Sequence, residues 1–183
     1  MIPLLFLARM PLGFGSHGSS GVGAFGSDSL VSSNDGTEGP LDDGFQPLVK
    51  QEKLFTRLWW DAGRLAASSF ISPYVVEESS NGDPTAAEGR LAALRSIPVL
   101  PVSPEIPELA EFLLLGGGLP VAARIDALHI ACATYHDIDV LLTWNCTHIA
   151  NPALLPVMRG LCAARGYTLP ELVTPFELME VSP

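Results

Sequence analysis

The chain has 183 residues with a hydrophobic content of 48%, which suits one α/β domain with a full core better than two domains. Its formal net charge of −10 argues against strong unaided binding to nucleic acid through a basic face, and it fits a cation site or a basic protein partner. No apolar run approaches the ~20 residues that a membrane-spanning helix needs, so we expect no membrane association.

The cysteines and the first residues bear on the cellular compartment. The chain has three cysteines, an odd number, and no C-x-x-C spacing among Cys132, Cys146 and Cys162. This pattern predicts reduced thiols, a cytoplasmic location and no zinc ribbon. The opening MIPLLFLARM is apolar, but Arg9 interrupts it and no basic start precedes it, which disfavours a secretory signal.

The first 45 residues differ in composition from the rest of the chain. They contain GFGSHGSSGVGAFGSDSLVSSNDGTEG, a Gly/Ser-rich stretch without a helical or strand period. Such a stretch buries too little apolar area to offset its ordering entropy, so residues 1–45 are predicted to be disordered or atypical. Residues 46–183 are predicted to form the folded domain.

The regular pattern begins with an amphipathic helix over residues 47–66. Leu54, Leu58 and the Trp59/Trp60 pair are predicted on its buried side, and a short strand, SSFIS, follows. The later helices are predicted to begin with the same pattern, an N-cap residue followed by Pro at the first helical position. The pattern occurs at Ser72-Pro73, Asp83-Pro84, Ser103-Pro104 and Thr174-Pro175. Glu177 completes a capping box at the last of these.

Between these starts, strands and helices alternate. IPVLPV (97–102) is predicted as a strand, PEIPELAEFLLLGG as a helix that the glycines end, and LPVAARIDALHIACATYH as a helix. A buried strand DVLLTW, a helix over 152–165 and a strand ELVTP follow. This alternation predicts a three-layer α/β/α sandwich with a central parallel sheet, and ligands bind such sheets beyond the carboxyl ends of the strands. Asn145 falls at that edge.

Asp126 is the most informative candidate. The helix around it is apolar or small on nearly every face, and an unpaired buried carboxylate costs several kcal/mol. Asp126 is therefore predicted to be protonated, bound to a metal, or paired with Arg124, another Arg or a neighbouring loop. His129, one turn later on the same face, could be a metal ligand or a proton shuttle, but it is interpreted as a core residue bonded to a carbonyl or carboxylate.

Two further positions carry polar groups near this helix. If Val75 packs inward, Glu78 lies on the same side and Glu77 points outward, although a solvated helix face is the default for either Glu. Thr143 and Asn145 stand at a strand end, where Asn145 either caps the next turn or offers its carbonyl oxygen to a metal or water.

Three stretches together resemble a known family. They are IDALHIACATYHDIDVLLTWNCTHIANP, ISPYVVEESSNGDPTAAEGRLAAL and VTPFELME, and they resemble PIN-domain proteins, particularly VapC-like toxins of bacterial toxin–antitoxin systems. The likeness covers roughly residues 47–181. It implies a parallel sheet between helices, and cleavage of RNA phosphodiester bonds with Mg²⁺ or Mn²⁺.

The resemblance also implies site residues and partners. The acidic cluster of the family maps onto Glu78 and Asp126, and a further acidic position falls on Asn145. These three are the candidate catalytic and metal-ligating residues, with weaker metal binding expected at Asn145 because Asn brings no charge. The implied partners are an RNA substrate, a small antitoxin protein and a second copy of the chain in a homodimer.

The front of the chain departs from the family. A PIN domain begins with a hydrophobic strand that ends in a metal-ligating Asp, and no such strand stands before residue 47, because LFLARM lies too far from Glu78. The first strand is therefore predicted to be absent or degraded. Asp28, Asp35, Asp42 and Asp43 are stand-ins for its carboxylate, and the usual separation from Glu78 points to Asp35. Either another reading frame holds the true start, or the chain is a decayed copy.

Three functions follow from this pattern. The first is a metal-dependent endoribonuclease, weakened by the missing Asp. The alternative is a non-catalytic PIN-fold remnant or protein-interaction module. The third is an unrelated small-molecule enzyme, but the GGG at 116–118 lacks the spacing of a phosphate loop, and no Ser or Cys stands in a nucleophile elbow.

Overall fold

The computed structural model describes residues 6–9, 54–63 and 68–180. Its strands are β1 (Phe6–Arg9), β2 (Ser68–Phe70), β3 (Val140–Leu142) and β4 (Glu171–Val173). After residue 70 its α-helices are α1 (Pro73–Ser80), α2 (Pro84–Leu94), α3 (Glu105–Leu115), α4 (Arg124–Tyr135), α5 (Leu155–Ala164) and α6 (Pro175–Glu180). A short 3₁₀ helix at Val121–Ala123 leads into α4. The mixed helix and strand class predicted from the sequence is thus confirmed.

The sheet arranges its described strands in the order β2-β1-β3-β4. β1 pairs antiparallel with both β2 and β3, and β3 pairs parallel with β4. Because β1 is reversed relative to both of its neighbours, β2, β3 and β4 all run in one direction. Their carboxyl ends therefore share an edge, which is the edge at which the sequence predicted a site.

β1 is the main correction to the predicted sheet. An apolar strand from the start of the chain does lie between β2 and β3, where the sequence indicated an absent or degraded strand, and it runs antiparallel rather than parallel. A central strand in either direction pairs the backbone groups of β3 on both sides, so an apolar segment distant in sequence can fill the position. The rest of the predicted disordered segment 1–45 lies outside the described residues.

The helix predicted over 47–66 is described at 54–63. Residues 54–58 are α-helical and Trp59–Gly63 form a π-helical turn. Trp59 is buried, but Leu54 and Leu58 are 54% and 44% exposed, so their predicted burial is wrong. Successive residues turn by about 100° around a helix, so a helix that buries Trp59 turns Leu58, and with it Leu54, away from the core. The remaining residues of this prediction lie outside the described part of the chain.

The predicted helix caps are largely confirmed. The Ser72 and Asp83 side chains accept hydrogen bonds from the backbone N–H groups of Val75 and Ala86, at 3.3 and 2.9 Å. At the capping box, the Glu177 N–H donates to Thr174 Oγ1 over 3.2 Å, and Thr174 N–H donates to Glu177 Oε2 over 2.7 Å. Ser103 is different, because α3 begins at Glu105 and the Ser103 hydroxyl donates to the Glu105 carboxylate instead.

The strand predicted at 97–102 is reduced to one parallel bridge between Ile71 and Val99. Ile71 N–H donates to the Pro98 carbonyl over 3.0 Å, and Leu100 N–H donates to the Ile71 carbonyl over 2.9 Å. Pro98 and Pro101 have no N–H group, so this segment cannot continue a hydrogen-bonded ladder. The predicted strand is therefore corrected to an extended segment that touches the end of β2.

The core is built around α4, which packs against α3 and against β3. Seven residues of α4 and β3 are fully buried: Ala127, Ile130, Ala131, Cys132, Ala133, Leu141 and Leu142. Ile125 is 42% exposed, so one face of α4 reaches solvent. Gly117, at φ 78°, ends α3 as the sequence predicted. Over the described ranges, the helices all fall short of the length and apolar content needed to cross a bilayer.

The three thiols are expected to react at very different rates. Burial raises the pKa of Cys132 to about 12 and raises that of Cys162, whereas Cys146 is exposed. Since the thiolate is the reacting form, a disulfide reagent at pH 8 is expected to modify Cys146 first and the other two only as the protein unfolds. Thiol counting in native buffer and in denaturant measures this. Fast reaction of more than one thiol in native buffer would contradict the packing of α4 and α5.

Candidate functional site

The candidate site lies where β2 and β3 end and α4 begins. β2 leads through Ile71 into Ser72, the N-cap of α1, and β3 leads through Thr143 into the loop that carries Asn145. Asp126 lies in the first turn of α4. The sheet edge thus brings together residues that lie between 19 and 57 positions apart in the sequence.

The loop after β3 is closed by its own hydrogen bonds. Asn145 N–H donates to Thr143 Oγ1 over 2.9 Å, and the Asn145 carbonyl accepts from Ile149 and Ala150 N–H at 3.0 and 2.9 Å. Ile149 is fully buried and anchors the loop in the core. These contacts fix the backbone that carries Asn145 and His148.

Asp126 binds this loop through both carboxylate oxygens. Asn145 Nδ2 donates to Oδ1 over 2.9 Å, and His148 Nδ1 lies 2.8 Å from Oδ2. His148 N–H in turn donates to Asn145 Oδ1 over 3.0 Å. Asp126, Asn145 and His148 therefore form a closed hydrogen-bonded ring, to which His148 contributes both its imidazole and its backbone N–H, and which we call the Asp126 cluster.

Glu78 belongs to a second network, built on a buried histidine. His129 Nε2 lies 3.0 Å from Glu78 Oε2, and His129 Nδ1 lies 3.1 Å from Ser72 Oγ. His129 and Ser72 are each 1% exposed, while the Glu78 side chain is 31% exposed. The rings of Tyr74 and His129 pack perpendicular to each other, with 6.0 Å between their centroids. This network sets the direction of the Glu78 carboxylate.

The two networks meet on one face of α4. Asp126 and His129 are three residues apart, so their side chains lie one above the other on the helix surface. Each carboxylate of the site is therefore paired with a histidine, and α4 contributes one member to each pair.

The Ser72–His129–Glu78 order of contacts matches the order of a nucleophilic triad, but its burial argues against that chemistry. A nucleophile must reach its substrate, and Ser72 is 1% exposed. Its oxygen also caps α1 by accepting from Val75 N–H. The network is therefore a buried support for Glu78, in keeping with a sequence that shows no nucleophile elbow.

The structure places the predicted residues as follows. Asp126 is paired with a neighbouring loop, which was one of its predicted alternatives, and Arg124 is exposed. His129 is a core residue bonded to a carboxylate, as interpreted from the sequence. Glu78 lies on the side of Val75 and Glu77 is exposed, as predicted. Asp35, the proposed stand-in for the front carboxylate, lies outside the described residues, as do Asp28, Asp42 and Asp43.

Asn145 combines its two predicted roles in a different way. Its Oδ1 caps the turn by accepting from His148 N–H, while its amide nitrogen donates to Asp126. The Oδ1 atom accepts this bond within the loop, and its predicted use as a ligand for a metal or water stays a prediction.

His148 is the site residue that sequence reasoning missed. It stands three positions after Asn145 in the stretch WNCTHIAN, a spacing that a capped turn closes. The Asn-x-x-His pattern at a strand end indicates a capped turn, but the contact of His148 with Asp126 is visible only in the folded structure.

The residues fit the implied Mg²⁺ or Mn²⁺ by donor type. Asp126, Glu78 and Asn145 carry oxygen donors, which these cations prefer. The arrangement is less complete, because in the described part of the chain no three His, Cys, Asp or Glu side chains converge on one point. Asp126 is the best placed of the candidates, because Asn145 is bonded directly to it. Glu78 lies on α1 and is connected to α4 through His129.

Comparison with known proteins gives no relative. No family model matches the chain, and neither a curated protein nor a solved structure matches it.

Proposed function

We propose that this chain is a PIN-like endoribonuclease that uses Mg²⁺ or Mn²⁺ to hydrolyse RNA phosphodiester bonds, with weakened activity. The observation that carries the proposal is the Asp126 cluster at the shared carboxyl edge of β2, β3 and β4. In α/β folds, ligands bind at the carboxyl edge of the sheet, and Asp126 holds its carboxylate at that edge. The proposal includes a three-layer PIN-like sandwich around this sheet.

The chain's own residues would act by holding the carboxylates of Asp126 and Glu78 in fixed orientations. Asn145 and His148 fix the Asp126 carboxylate, and His129 fixes that of Glu78, so two oxygen donors are oriented before any ligand arrives. Asp126 and Glu78 would hold the cation, which when bound supplies positive charge that stabilises the charge developing on a phosphate. Because β1 is antiparallel, it brings Phe6 to the carboxyl edge of β3 and carries Arg9 to the opposite edge, so β1 places no Asp at the site, and the proposal attributes the weakened activity to this difference.

The partners belong to the same proposal. An RNA substrate follows from the reaction, and the net charge of −10 favours a cation or a basic protein over direct phosphate binding. A small basic antitoxin, and a second copy of the chain, are the protein partners that we propose on the resemblance. The location that we propose is the cytoplasm.

Cleavage of a panel of structured RNAs with Mn²⁺ tests the ribonuclease proposal. The wild-type chain is expected to cleave above the buffer level, and Asp126→Asn is expected to return cleavage to that level because the best-placed donor loses its charge. Glu88→Gln is the matched control, since Glu88 is an exposed carboxylate on α2. Equal cleavage by the wild type and Asp126→Asn would count against the proposal.

A non-catalytic PIN-fold module is the second candidate. The observation in its favour is that both oxygens of Asp126 already accept hydrogen bonds and that Glu78 is already paired with His129. Paired carboxylates have less need of a cation to offset their charge. This candidate predicts that Mn²⁺ leaves the melting temperature of the wild type unchanged, whereas a ligand that binds the native state raises it.

A further inference from the structure

We propose that His148 is a positioning residue, which orients the Asp126 carboxylate toward Asn145. His148 Nδ1 lies 2.8 Å from Asp126 Oδ2, and Asn145 Nδ2 donates to Oδ1 over 2.9 Å. Two contacts on different oxygens fix the rotation of a carboxylate, which a single contact leaves free. The consequence for cation binding rests on the proposed function, but the orientation itself does not.

His148 is held in place by the loop rather than by Asp126 alone. Its backbone N–H donates to Asn145 Oδ1 over 3.0 Å, and the next residue, Ile149, is fully buried. The backbone of His148 is therefore fixed from both sides. A side chain on such a backbone can hold a partner in one geometry, because little of its own freedom remains to be lost.

A purely stabilising ion pair is the other explanation of this contact. The His148 and Asp126 side chains are 30% and 16% exposed, so this contact is partly buried and contributes to stability as well as to orientation. Removal of His148 is expected to lower stability modestly and to leave the protein folded, because Asp126 keeps its bond to Asn145. The orientation of Asp126 is a separate property, and the neighbouring amide of Asn145 reports on it directly.

The test follows the side-chain amide of Asn145 by NMR in the metal-free full chain. In His148→Ala, the carboxylate loses one of its two contacts, so the Asn145 amide signals are expected to shift and to exchange with solvent several-fold faster. In His148→Asn, an amide nitrogen stands near the position of Nδ1 and is expected to restore most of the wild-type behaviour. The Asn151 amide, which donates to Thr147 in the same loop, is the internal control.

Three results would overturn the inference. The first is an Asn145 amide that is unchanged in His148→Ala. The second is an equal change in the Asn151 amide, which would show loosening of the loop as a whole. The third is His148→Asn behaving as His148→Ala does, which would show that the donor is not what matters.

Cation binding is measured separately on the same proteins. If the wild type binds Mn²⁺, His148→Ala is expected to bind it about 10-fold more weakly, the usual scale for loss of a group that orients a ligand. A wild type that binds no Mn²⁺ counts against the proposed function, while the amide signals still decide the role of His148. The two failures are therefore distinguishable.

Discussion

Replacing Asn145 by Asp is expected to lower the free energy of unfolding of the metal-free protein by about 1–3 kcal/mol. Asn145 Nδ2 donates to Asp126 Oδ1 over 2.9 Å, and an Asp at this position has no donor to offer. Two carboxylates then face each other at hydrogen-bonding distance. The turn itself is kept, since a carboxylate oxygen can still accept from His148 N–H.

The same variant is expected to gain stability from Mn²⁺. A divalent cation between two carboxylates converts their repulsion into attraction, so the melting temperature of Asn145→Asp should rise with Mn²⁺ and fall in EDTA. Thermal melts of the wild type and the variant in both buffers measure this difference. The variant also restores the acidic position that the PIN resemblance implies, so RNA cleavage with Mn²⁺ is expected to increase.

Asn151→Asp is the matched control for this substitution. Asn151 stands in the same loop, and its amide nitrogen donates to the Thr147 carbonyl rather than to a carboxylate. It receives the same change in charge and is expected to show no Mn²⁺-dependent gain. Equal responses of the two variants would mean that Asp126 and residue 145 do not share a cation.

Replacing His129 by Ala is expected to lower the free energy of unfolding by about 2–4 kcal/mol. The His129 ring is 1% exposed, bonds Ser72 Oγ and Glu78 Oε2, and packs perpendicular to the Tyr74 ring. Its removal leaves a cavity and takes a partner from the buried Ser72 hydroxyl. Urea denaturation, with an unchanged dependence of stability on urea concentration, measures the loss.

Two variants separate the causes of this loss. His129→Gln keeps a nitrogen donor for Glu78 and is expected to lose less than His129→Ala. His136→Ala, at the other end of α4, removes a more exposed ring that contacts the Pro101 carbonyl and is expected to cost less than about 1 kcal/mol. A His129→Ala protein as stable as the wild type would show that the buried network adds nothing to the fold.

Part of the site could be read from residue types alone. An Asp inside an apolar helix had to be compensated, and the neighbouring-loop alternative proved to be the arrangement that Asp126 adopts. The face of α1 that carries Glu78 followed from helix spacing once Val75 was placed inward. His148 could not be identified in this way, because its role depends on a loop folding back so that residues 22 positions apart meet.

The sequence by itself determined three of the four capped helix starts, the buried helix α4, the buried strand β3 and the shared direction of β2, β3 and β4. These features depend on local periodicity, capping chemistry and the alternation of helices with strands, all of which can be read within a short window. It also marked Asp126 and Asn145 as residues to be explained.

Only the tertiary structure decided which strand lies between β2 and β3, and how the two carboxylates are paired. β1 comes from the start of the chain and runs antiparallel, a choice that depends on pairing between distant segments and leaves no local pattern. The pairing of Asp126 with His148 and of Glu78 with His129 likewise depends on the sheet edge bringing α1, α4 and the loop after β3 together. Long-range contacts of this kind are fixed by packing, and packing is not encoded in any single stretch.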